Sequence, residues 1–475
     1  MEVSFRQLYD ASRQCRRGKT KGFQCQRFEA KLLDNLFATQ AALQSNSWQP
    51  QPMRCFIATN GSKPREIHAP AYADRVVHHW LIPRLQALIE PKFIHDCAAN
   101  VKGKGTHFAV QRLQQMFRRV GPQAHYLQLD IHNFFYSISR PILLNLLADH
   151  LRRAVRDHKI NRQQASNYYN LCCQCMILPA VKPVGDSHSH RLPPHKQLQQ
   201  AASHCGLPIG NLTSQFFSNV YLNPLDQFVK HQLKCQYYVR YVDDFILVHQ
   251  SAEQLRCWQR SIEAFLQQQL QLQLKPQTIL RPLNAGADFL GYIVRPHYRL
   301  VRRRVLANWR SKLKQWRAGV ANGHGLYRLP PQRLAQLQSV CASYLGHIQH
   351  ASYFSLLDKL LAQMPWLQHF YSLNQGKLIP RWQNRKLYRF VAQCRWFLTH
   401  YPQHEVWVQK GRHFIDARQP DREYPLLQLH QQLRADRSAA RPYAWISEQG
   451  YIHRRLKHRQ LAQLFWPQDQ IIHSQ

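Results

Sequence analysis

The chain has 475 residues, too many for one ordinary domain, and 44% of them are hydrophobic, enough to build cores. Its 64 lysines and arginines stand against 26 acidic residues, and the net charge of +38 favours a polyanionic partner, nucleic acid before a membrane surface. No run of about 18 apolar residues predicts a membrane span, the N-terminus lacks the apolar core of a signal peptide, and the twelve cysteines have no framework spacing, so we expect a reduced, cytoplasmic protein.

The first 50 residues predict helices, because apolar residues recur at helical spacing from Phe28 to Leu43. A strand, a turn and a return strand are predicted next, at Cys55–Ala58, Asn60–Gly61 and Arg65–Ile67. Asp74 is predicted to cap a helix that runs to Leu85.

Strands and helices alternate from there to about residue 295. The predicted elements are a basic glycine loop at 101–106, helices at 109–119, 140–155, 212–228 and 255–270, strands at 126–131 and 289–294, and a two-stranded hairpin at 237–249. Residues 180–200 are rich in Pro, His and Ser, which indicates an exposed loop. From residue 302 onward, helices rich in Leu, Gln and Arg are predicted to about residue 365. Residues 301–475 carry a net charge of +19, as much as the first 300 residues, so the density of positive charge nearly doubles there.

Two cysteines in the middle of the chain have a spacing found in zinc-binding proteins. Cys172 and Cys175 are separated by two residues, as in zinc knuckles. The second half of such a site would repeat this spacing, and the histidines and cysteine downstream do not. We therefore expect these cysteines to be small buried residues.

Carboxylates are scarce in the middle of the chain, where residues 126–250 contain no Glu and only seven Asp. Asp243 and Asp244 are adjacent in the turn of the predicted hairpin, and Asp130 ends another apolar strand. An isolated Asp pair usually indicates a solvated turn, but like charges between apolar strands are costly unless a cation neutralises them. Carboxylates from neighbouring strand ends suit Mg2+, and two such ions about 4 Å apart stabilise the attacking and leaving oxygens of a phosphoryl transfer.

These residues resemble a known family. The segment Tyr241–Asp244 resembles the Y-x-D-D box of reverse transcriptases, and Leu129–Ile131 with Phe134 and Phe135 resembles their other catalytic-aspartate motif. Further blocks follow in the family's order: Lys63–Ile67, Asp74–His79, Lys102–His107, Gly206–Gln215, Phe289–Tyr292, Arg302–Arg304 and Tyr344–His347. The resemblance covers roughly residues 1–365 and implies an α+β fold, a right-hand polymerase with fingers, palm and helical thumb.

The resemblance also implies the reaction. A primer 3′-OH would attack a deoxynucleoside triphosphate with RNA as the template, releasing pyrophosphate and forming a DNA product. Asp130, Asp243 and Asp244 would be the catalytic residues and would hold two Mg2+ ions, with Mn2+ as the alternative metal.

Other family positions imply contacts with the incoming dNTP. Arg65, with Lys63 as the weaker candidate, would hold the triphosphate, a bidentate task that suits Arg. Phe135 lies five residues after Asp130, where the family places a steric gate against a ribose 2′-OH; ordinary core packing is the alternative for this Phe.

The block from Gly206 to Gln215 also belongs to the implied nucleotide site, through Ile209, Gly210 and Gln215. The sequence of this block resembles that of the enzymes of diversity-generating retroelements more than that of group II intron enzymes. The group II intron enzymes carry a Gln where Ile209 stands and a Pro where Gln215 stands. In the family that Gln packs beside the incoming nucleotide and helps to check base-pair geometry. An Ile cannot make that hydrogen bond, so we expect a looser fidelity check, with ordinary packing as the alternative.

Basic residues imply contacts with nucleic acid. Lys102 and Lys104, on their glycine loop, would contact template phosphates, although a solvated basic loop is an alternative. Arg302, Arg303 and Arg304 begin the predicted thumb, whose basic helices would hold the template–product duplex through phosphate and 2′-OH contacts.

One segment departs from the family pattern. Leu274–Thr278 resembles the block after the catalytic hairpin, but Gln277 stands where a Lys is common. Lys275 is close enough in sequence to substitute, and the proton-donating role is left open.

Four regions follow from these patterns: an N-terminal helical segment at 1–50, fingers and palm at 51–295, a thumb at 296–365, and a basic, aromatic C-terminal extension at 366–475. Aromatic and basic residues interleave from Trp382 to Arg412, which is typical of single-stranded or structured RNA binding. A basic domain that docks on the polymerase or on a partner protein is equally compatible with this pattern.

The biological setting has two readings. One is an antiviral-defence enzyme in bacteria, which copies a dedicated non-coding RNA into DNA, and the long extension favours it. The other is a diversity-generating retroelement, whose enzyme works with a small accessory protein. A catalytically inactive RNA-binding scaffold is the alternative from a different functional class, and the intact aspartates argue against it.

Overall fold

The fold contains both helices and sheets, as the sequence predicts. The computed structural model describes residues 1–20, 22–58, 64–177, 181–183, 192–320 and 331–352, together with 367, 371–374, 377–380, 405–410, 413–416, 418, 423–425, 443–446 and 452–454. The chain divides into two compact units. The first comprises Met1–Leu290 with Val294–His297, and the second Gly291–Ile293 with Tyr298–Gln475.

Ten helices are described in the first unit. They are α1 (Phe5–Arg16), α2 (Phe23–Glu29), α3 (Leu32–Gln44), α4 (Tyr72–Ile89), α5 (Thr106–Val120), α6 (Phe134–Ser137), α7 (Arg140–Arg156), α8 (Arg162–Met176), α9 (Leu212–Gln227) and α10 (Ala252–Leu270). Except for α5, whose buried residues lie outside it, these helices contribute apolar residues to one core, in which α4 and α9 are buried on most sides. A helix that is buried all round holds its neighbours in place from several directions.

Two sheets complete most of the first unit. Strands β1 (Met53–Ala58), β2 (Arg65–Ala69) and β4 (Val181–Pro183) form a three-stranded sheet in the order β2-β1-β4. Strands β3 (His125–Asp130), β5 (Tyr237–Tyr241), β6 (Asp244–His249) and β7 (Ile279–Pro282) form a four-stranded antiparallel sheet in the order β5-β6-β3-β7. The central strands β3 and β6 are neighbours in the sheet. In the sequence, three helices of more than 12 residues each (α7, α8 and α9) lie between these two strands.

Helix α4 corrects one prediction and α8 adds an element. Helix α4 begins at Tyr72, so Asp74 lies in its first turn and is not its cap. The Asp74 carboxylate is buried, accepts a hydrogen bond from the Gln51 backbone N–H at 2.9 Å, and has its pKa raised to about 6 by burial. Helix α8 buries Cys172 and Cys175 in the core, which confirms their apolar role.

The second unit contains helices and further strands. After β8 (Ala287–Phe289), which still belongs to the first unit, the chain forms strands β9 (Tyr292–Val294) and β10 (Arg299–Val301) and then helices α11 (Arg303–Val320) and α12 (Pro331–Ile348). Trp309 stacks on Tyr344, with ring centroids 5.7 Å apart, and joins α11 to α12. Among the residues described farther along, seven more strands are seen: β11 (Tyr371–Asn374), β12 (Lys377–Pro380), β13 (Glu405–Lys410), β14 (His413–Asp416), β15 (Glu423–Pro425), β16 (Tyr443–Ile446) and β17 (Ile452–Arg454).

The last five of these strands form one sheet in the order β15-β14-β13-β16-β17, with β13 and β16 parallel. Trp407 and Lys410 of the predicted aromatic-basic region lie on β13, whereas Trp382 and Arg412 lie outside the described residues. In the part of the chain that the structure describes, no helix is long and apolar enough to cross a membrane.

Candidate active site

Three aspartates meet at one end of the four-stranded sheet. Asp130 is the last residue of β3, and it lies opposite Asp244, the first residue of β6, in the antiparallel register. Asp243 precedes Asp244 in the two-residue turn between β5 and β6. The structure thus brings together the three carboxylates that the sequence marks, from positions more than 110 residues apart.

The flanking apolar residues fix the positions of these strand ends. In β3, Leu127 and Leu129 are fully buried, and in β6 every residue from Phe245 to Val248 is buried. A one-residue slip in register would move these side chains to the wrong face of the sheet, so the register is strongly specified. The same register places Asp130 beside Asp244.

Burial and mutual repulsion perturb this acidic cluster. Burial, together with the charge of Asp130, raises the pKa of Asp243 to about 6. Burial also raises the pKa of Asp244 to about 7, although a hydrogen bond from the Gln128 side chain at 3.1 Å opposes the shift. Like charges held together in a buried site favour either a proton or a cation between them.

The donor set fits a hard divalent cation. The Oδ1 atom of Asp130 is buried and has no hydrogen-bond partner, so one carboxylate oxygen of the cluster is left for a ligand. The other oxygen, Oδ2, pairs with the Lys275 ammonium group. Carboxylate oxygens that converge from two strands are the ligands that Mg2+ prefers.

Lys275 is held beside the cluster by the backbone. Its N–H donates to the Asp130 carbonyl oxygen at 2.8 Å, and Ile131 and Leu274 form an isolated antiparallel bridge next to it. The segment that carries Lys275 therefore extends along the end of β3. This contact places Lys275 beside the aspartates. Lys275 lies in the segment that departs from the family pattern, and the sequence alone left its role open.

The turn that carries Asp243 is backbone-strained. Val242, the first of the two turn residues, has a φ of +57°. Two-residue hairpin turns place Gly at a first position with positive φ, and a β-branched residue there is an outlier that costs about 1–3 kcal/mol. Such strain persists only where the surroundings hold it, and here a buried guanidinium does so.

That guanidinium belongs to Arg240, which is fully buried on β5. Its Nη1 donates to the Val242 carbonyl oxygen at 2.9 Å, and its Nε and Nη2 donate to the two carboxylate oxygens of Asp226, at 2.7 and 2.5 Å. Asp226 lies on α9, is also fully buried, and accepts a third hydrogen bond from the Tyr238 hydroxyl at 2.8 Å. The strained turn is thus tied to the central helix of the core.

Other contacts complete this network. Nη1 of Arg240 also donates to the Asn219 side-chain oxygen at 3.2 Å, and Asn219 in turn donates to the Ala99 carbonyl oxygen. Burial alone would lower the pKa of Arg240, but the Asp226 carboxylate raises it above its ordinary value, so the guanidinium stays charged. Sequence reasoning missed this pair because Asp226 and Arg240 belong to different elements and no motif links them.

Three residues of the predicted nucleotide site lie on β2 or against it. Arg65 is exposed at the start of β2. The Ile209 carbonyl oxygen accepts a hydrogen bond from the His68 backbone N–H at 2.9 Å, which joins the 206–211 segment to the end of β2. Gly210 has a φ of +111°, and a Cβ there would lie 2.9 Å from the Ile67 side chain, so both conformation and space favour Gly.

The other predicted nucleotide contacts have varied surroundings. Phe135 lies on α6, is half-buried and packs edge-on against Phe134, with ring centroids 5.3 Å apart. Gln215 is exposed in the first turns of α9. Lys63 lies outside the described residues.

The predicted nucleic-acid contacts divide between the two units. In the first unit, Lys102 is exposed, whereas the Lys104 ammonium group donates to the His95 carbonyl oxygen at 2.7 Å and so also holds its own loop. In the second unit, Arg303 and Arg304 are exposed at the start of α11, directly after the half-buried Arg302.

The comparison with protein families identifies the class of the chain. The model of the family described as "Reverse transcriptase (RNA-dependent DNA polymerase)" matches residues 57–294, half of the chain. The chain therefore belongs to the reverse transcriptase family, whose enzymes are RNA-directed DNA polymerases. The matched segment contains the three clustered aspartates.

Comparisons with individual proteins do not define the class of the chain further. No curated protein matches the chain. Among solved structures, it is similar to the telomerase of Candida albicans in complex with a fragment of telomeric RNA, with a TM-score of 0.38, 12% identity and coverage of 68% of this chain and 58% of that one. A telomerase of Candida tropicalis truncated from its C-terminal domain gives a TM-score of 0.37 and 9% identity, covering 57% of this chain and 58% of that one. The chain spans less than two thirds of these structures, and at such scores the class rests on the family match.

Proposed function

We propose that this chain is an active RNA-directed DNA polymerase with the right-hand arrangement of fingers, palm and thumb, and that the cluster of Asp130, Asp243 and Asp244 is its catalytic centre. The observation that carries the proposal is the convergence of three carboxylates with one unpartnered buried oxygen inside the segment that matches the family. In this assignment the four-stranded sheet is the core of the palm.

The three aspartates would hold two Mg2+ ions, and bound ions would supply Lewis-acid activation of the primer 3′-OH and charge neutralisation at the leaving pyrophosphate. The chain's own part is positional. The register of β3 and β6 holds Asp130 against Asp244, and the contact from Arg240 holds the turn that carries Asp243. Lys275 would neutralise Asp130 in the metal-free protein and is the candidate proton donor to pyrophosphate.

Arg65, with Lys63, would bind the triphosphate of the incoming dNTP, and Phe135 would exclude a ribose 2′-OH. Ile209, Gly210 and Gln215 would line the base-pair side of the same site. The hydrogen bond from His68 to Ile209 supports this grouping, because it joins β2, which carries Arg65, to the segment that carries Ile209 and Gly210.

Template RNA and its DNA copy would be held by Lys102, Lys104 and the start of α11, at Arg302, Arg303 and Arg304. The excess of positive charge beyond residue 300 supports a role in binding a structured non-coding RNA. We favour antiviral defence in bacteria over a diversity-generating retroelement with a small accessory protein. Sequencing the nucleic acid that co-purifies with the protein separates these two: a single dedicated RNA with its DNA copy supports the first, and transcripts of a repeat next to a variable target gene support the second.

The decisive test of the catalytic assignment is Asp243→Asn, with Asp149→Asn as the matched control. Asp149 is an exposed residue of α7 that pairs with Arg152 at the surface, so its loss should leave activity unchanged. We expect Asp243→Asn to abolish primer extension on an RNA template while RNA binding remains close to normal. Extension by Asp243→Asn at the wild-type rate would refute the assignment, and a wild-type protein that binds RNA but never extends a primer would favour the scaffold alternative.

A further inference from the structure

A second cluster of ligating side chains lies away from the three aspartates, in the sheet that carries Arg65. Cys55 is on β1, and Glu66 and His68 are on β2, where Cys55 and His68 are direct cross-strand partners. All three side chains are buried, with exposed fractions of 9%, 5% and 2%. Residues i and i+2 of a strand point to the same face, so the strand geometry brings Glu66 and His68 to the same side as Cys55.

The spacing of the ligand atoms approaches that of a tetrahedral site. The Cys55 Sγ lies 3.7 Å from Glu66 Oε1, and the Glu66 Oε2 lies 2.9 Å from the His68 Nε2. One ligand atom from each residue lies within 4.8 Å of those of the other two. Metal–ligand bonds of about 2.3 Å to sulfur and 2.0 Å to nitrogen or oxygen, at tetrahedral angles, would place such atoms about 3.3 to 3.5 Å apart. The 3.7 and 2.9 Å distances differ from these values by a few tenths of an ångström, whereas the remaining separations are within 4.8 Å and would have to shorten on metal binding.

The hydrogen bonding of the cluster leaves room for a ligand. The His68 Nε2 is buried, and despite its short distance to Glu66 it has no hydrogen bond of acceptable geometry. The Glu66 Oε2 accepts a hydrogen bond from the Leu198 backbone N–H at 2.7 Å, which orients the carboxylate within the cluster. A buried carboxylate beside a buried imidazole nitrogen that has no hydrogen-bond partner is a suitable set of metal ligands.

We propose that Cys55, Glu66 and His68 bind a structural Zn2+ ion. Cysteine sulfur, histidine nitrogen and carboxylate oxygen together form a donor set typical of zinc and unsuited to Mg2+. The two Glu66 oxygens lie too close together to occupy two corners of a tetrahedron, so Glu66 would supply one oxygen and a water molecule would be the fourth ligand. On binding, the Cys55 thiol would release its proton to solvent, and the Leu198 N–H would remain as the outer hydrogen bond that orients Glu66.

The position of this site gives it a structural consequence. The ion would connect β1 to β2 directly, and through Glu66 it would connect both strands to the segment at Leu198. Arg65 precedes Glu66 in β2, and the His68 backbone N–H holds Ile209. The zinc site would therefore hold in place the surface assigned above to the incoming nucleotide, without taking part in the reaction.

The test is the metal content of the purified full-length chain after dialysis against Mg2+ buffer. We expect about one zinc per chain in the wild type and in Asp243→Asn, because the latter alters only the aspartate cluster. Cys55→Ser and His68→Asn should lower zinc affinity at least about tenfold, the least that loss of an outer-shell partner usually costs. The matched control is Cys235→Ser, since Cys235 is buried as deeply but donates only to the Tyr237 backbone oxygen.

A second measurement on the wild type keeps the test informative if a variant fails to fold. Co2+ added to metal-free protein should produce a thiolate-to-cobalt charge-transfer absorption, and zinc should abolish it. Retention of zinc by both Cys55→Ser and His68→Asn would place the ion elsewhere and overturn the proposal. A wild type that neither retains zinc nor gives the cobalt absorption would show that the three side chains form only a hydrogen-bonded cluster.

Discussion

Comparing Arg240→Met with a double variant separates two roles that the buried Arg240 combines. The guanidinium neutralises Asp226 in the core and also holds the Val242 carbonyl oxygen in the turn before Asp243. Arg240→Met removes both contacts and leaves the Asp226 carboxylate buried with only the Tyr238 hydroxyl as a donor. Arg240→Met combined with Asp226→Leu removes the uncompensated charge as well but leaves the turn without its donor.

The two variants should differ in stability. Breaking a buried ion pair by removing one partner costs about 3–5 kcal/mol, whereas replacing both partners by apolar residues is often close to neutral. We therefore expect urea unfolding to show a loss of about 3–5 kcal/mol for Arg240→Met and a recovery of about 2 kcal/mol or more in the double variant. Arg256→Met is the matched control, because Arg256 is exposed and its pair with Glu253 at 3.0 Å should contribute less than about 1 kcal/mol.

Activity should not recover with stability. A hydrogen bond from a charged donor contributes about 1.5–3 kcal/mol, which corresponds to roughly a 10- to 100-fold change in rate at about 1.4 kcal/mol per tenfold. In single-nucleotide extension on an RNA template, the double variant should lose activity in kcat by this factor, with the KM for dNTP nearly unchanged. A double variant that extends primers at the wild-type rate would refute the positioning role of Arg240, and one no more stable than Arg240→Met would refute the buried-charge argument.

Three further predictions concern other residues. Burial lowers the pKa of His78 to about 3 from 6.5, so the unfolded chain binds a proton that the folded protein excludes. The free energy of unfolding should therefore fall by up to about 1.4 kcal/mol per pH unit as the pH decreases below 6.5. In urea unfolding between pH 7 and 4.5, His78→Leu should show a smaller dependence of this free energy on pH, and an unchanged dependence would contradict the assignment. Val242→Gly should remove about 1–3 kcal/mol of turn strain against about 0.5–1 kcal/mol for the freedom of Gly, so a loss of stability in the same assay would count against strain at this turn. Ile209→Gln should lower misincorporation on an RNA template if the missing hydrogen bond loosens fidelity, and equal error frequencies in sequenced products would exclude that cause.

Three of the four strands in the sheet that holds the aspartates are predictable from sequence because their signals are local, whereas β7 was not predicted. Strands β3, β5 and β6 are apolar runs that end at polar residues, and a two-residue turn allows only one register for the hairpin. Helix α8 is not predicted, because much of its length is Gln, Asn and Tyr and its apolar residues gather near its end. Its start does carry a local signal, the capping box formed by Asn161 and Gln164.

Two side-chain contacts between separate elements were beyond sequence reasoning. The pairing of Cys55 with His68 depends on the number of residues between β1 and β2, and no spacing rule for metal sites includes it. The pairing of Asp226 with Arg240 depends on how α9 packs against β5. The roles of individual residues in binding nucleotide and nucleic acid remain predictions, since they concern contacts with molecules other than the chain itself.

The order β5-β6-β3-β7 also has a consequence for synthesis of the chain. Asp130 and Asp244 are 114 positions apart, so at about 5–20 residues per second a ribosome needs roughly 6 to 23 s to progress from one to the other. During that time β3 has been made but neither of its neighbours, β6 and β7, exists to pair with it. Because the entropic cost of closing a loop rises by only about 0.6 kcal/mol for each doubling of its length, the long intervening segment weakens the finished sheet little. The long segment instead delays the pairing of β3. Until β6 and β7 are made, the apolar side chains of β3 are shielded from water only by the helices already made or by chaperones.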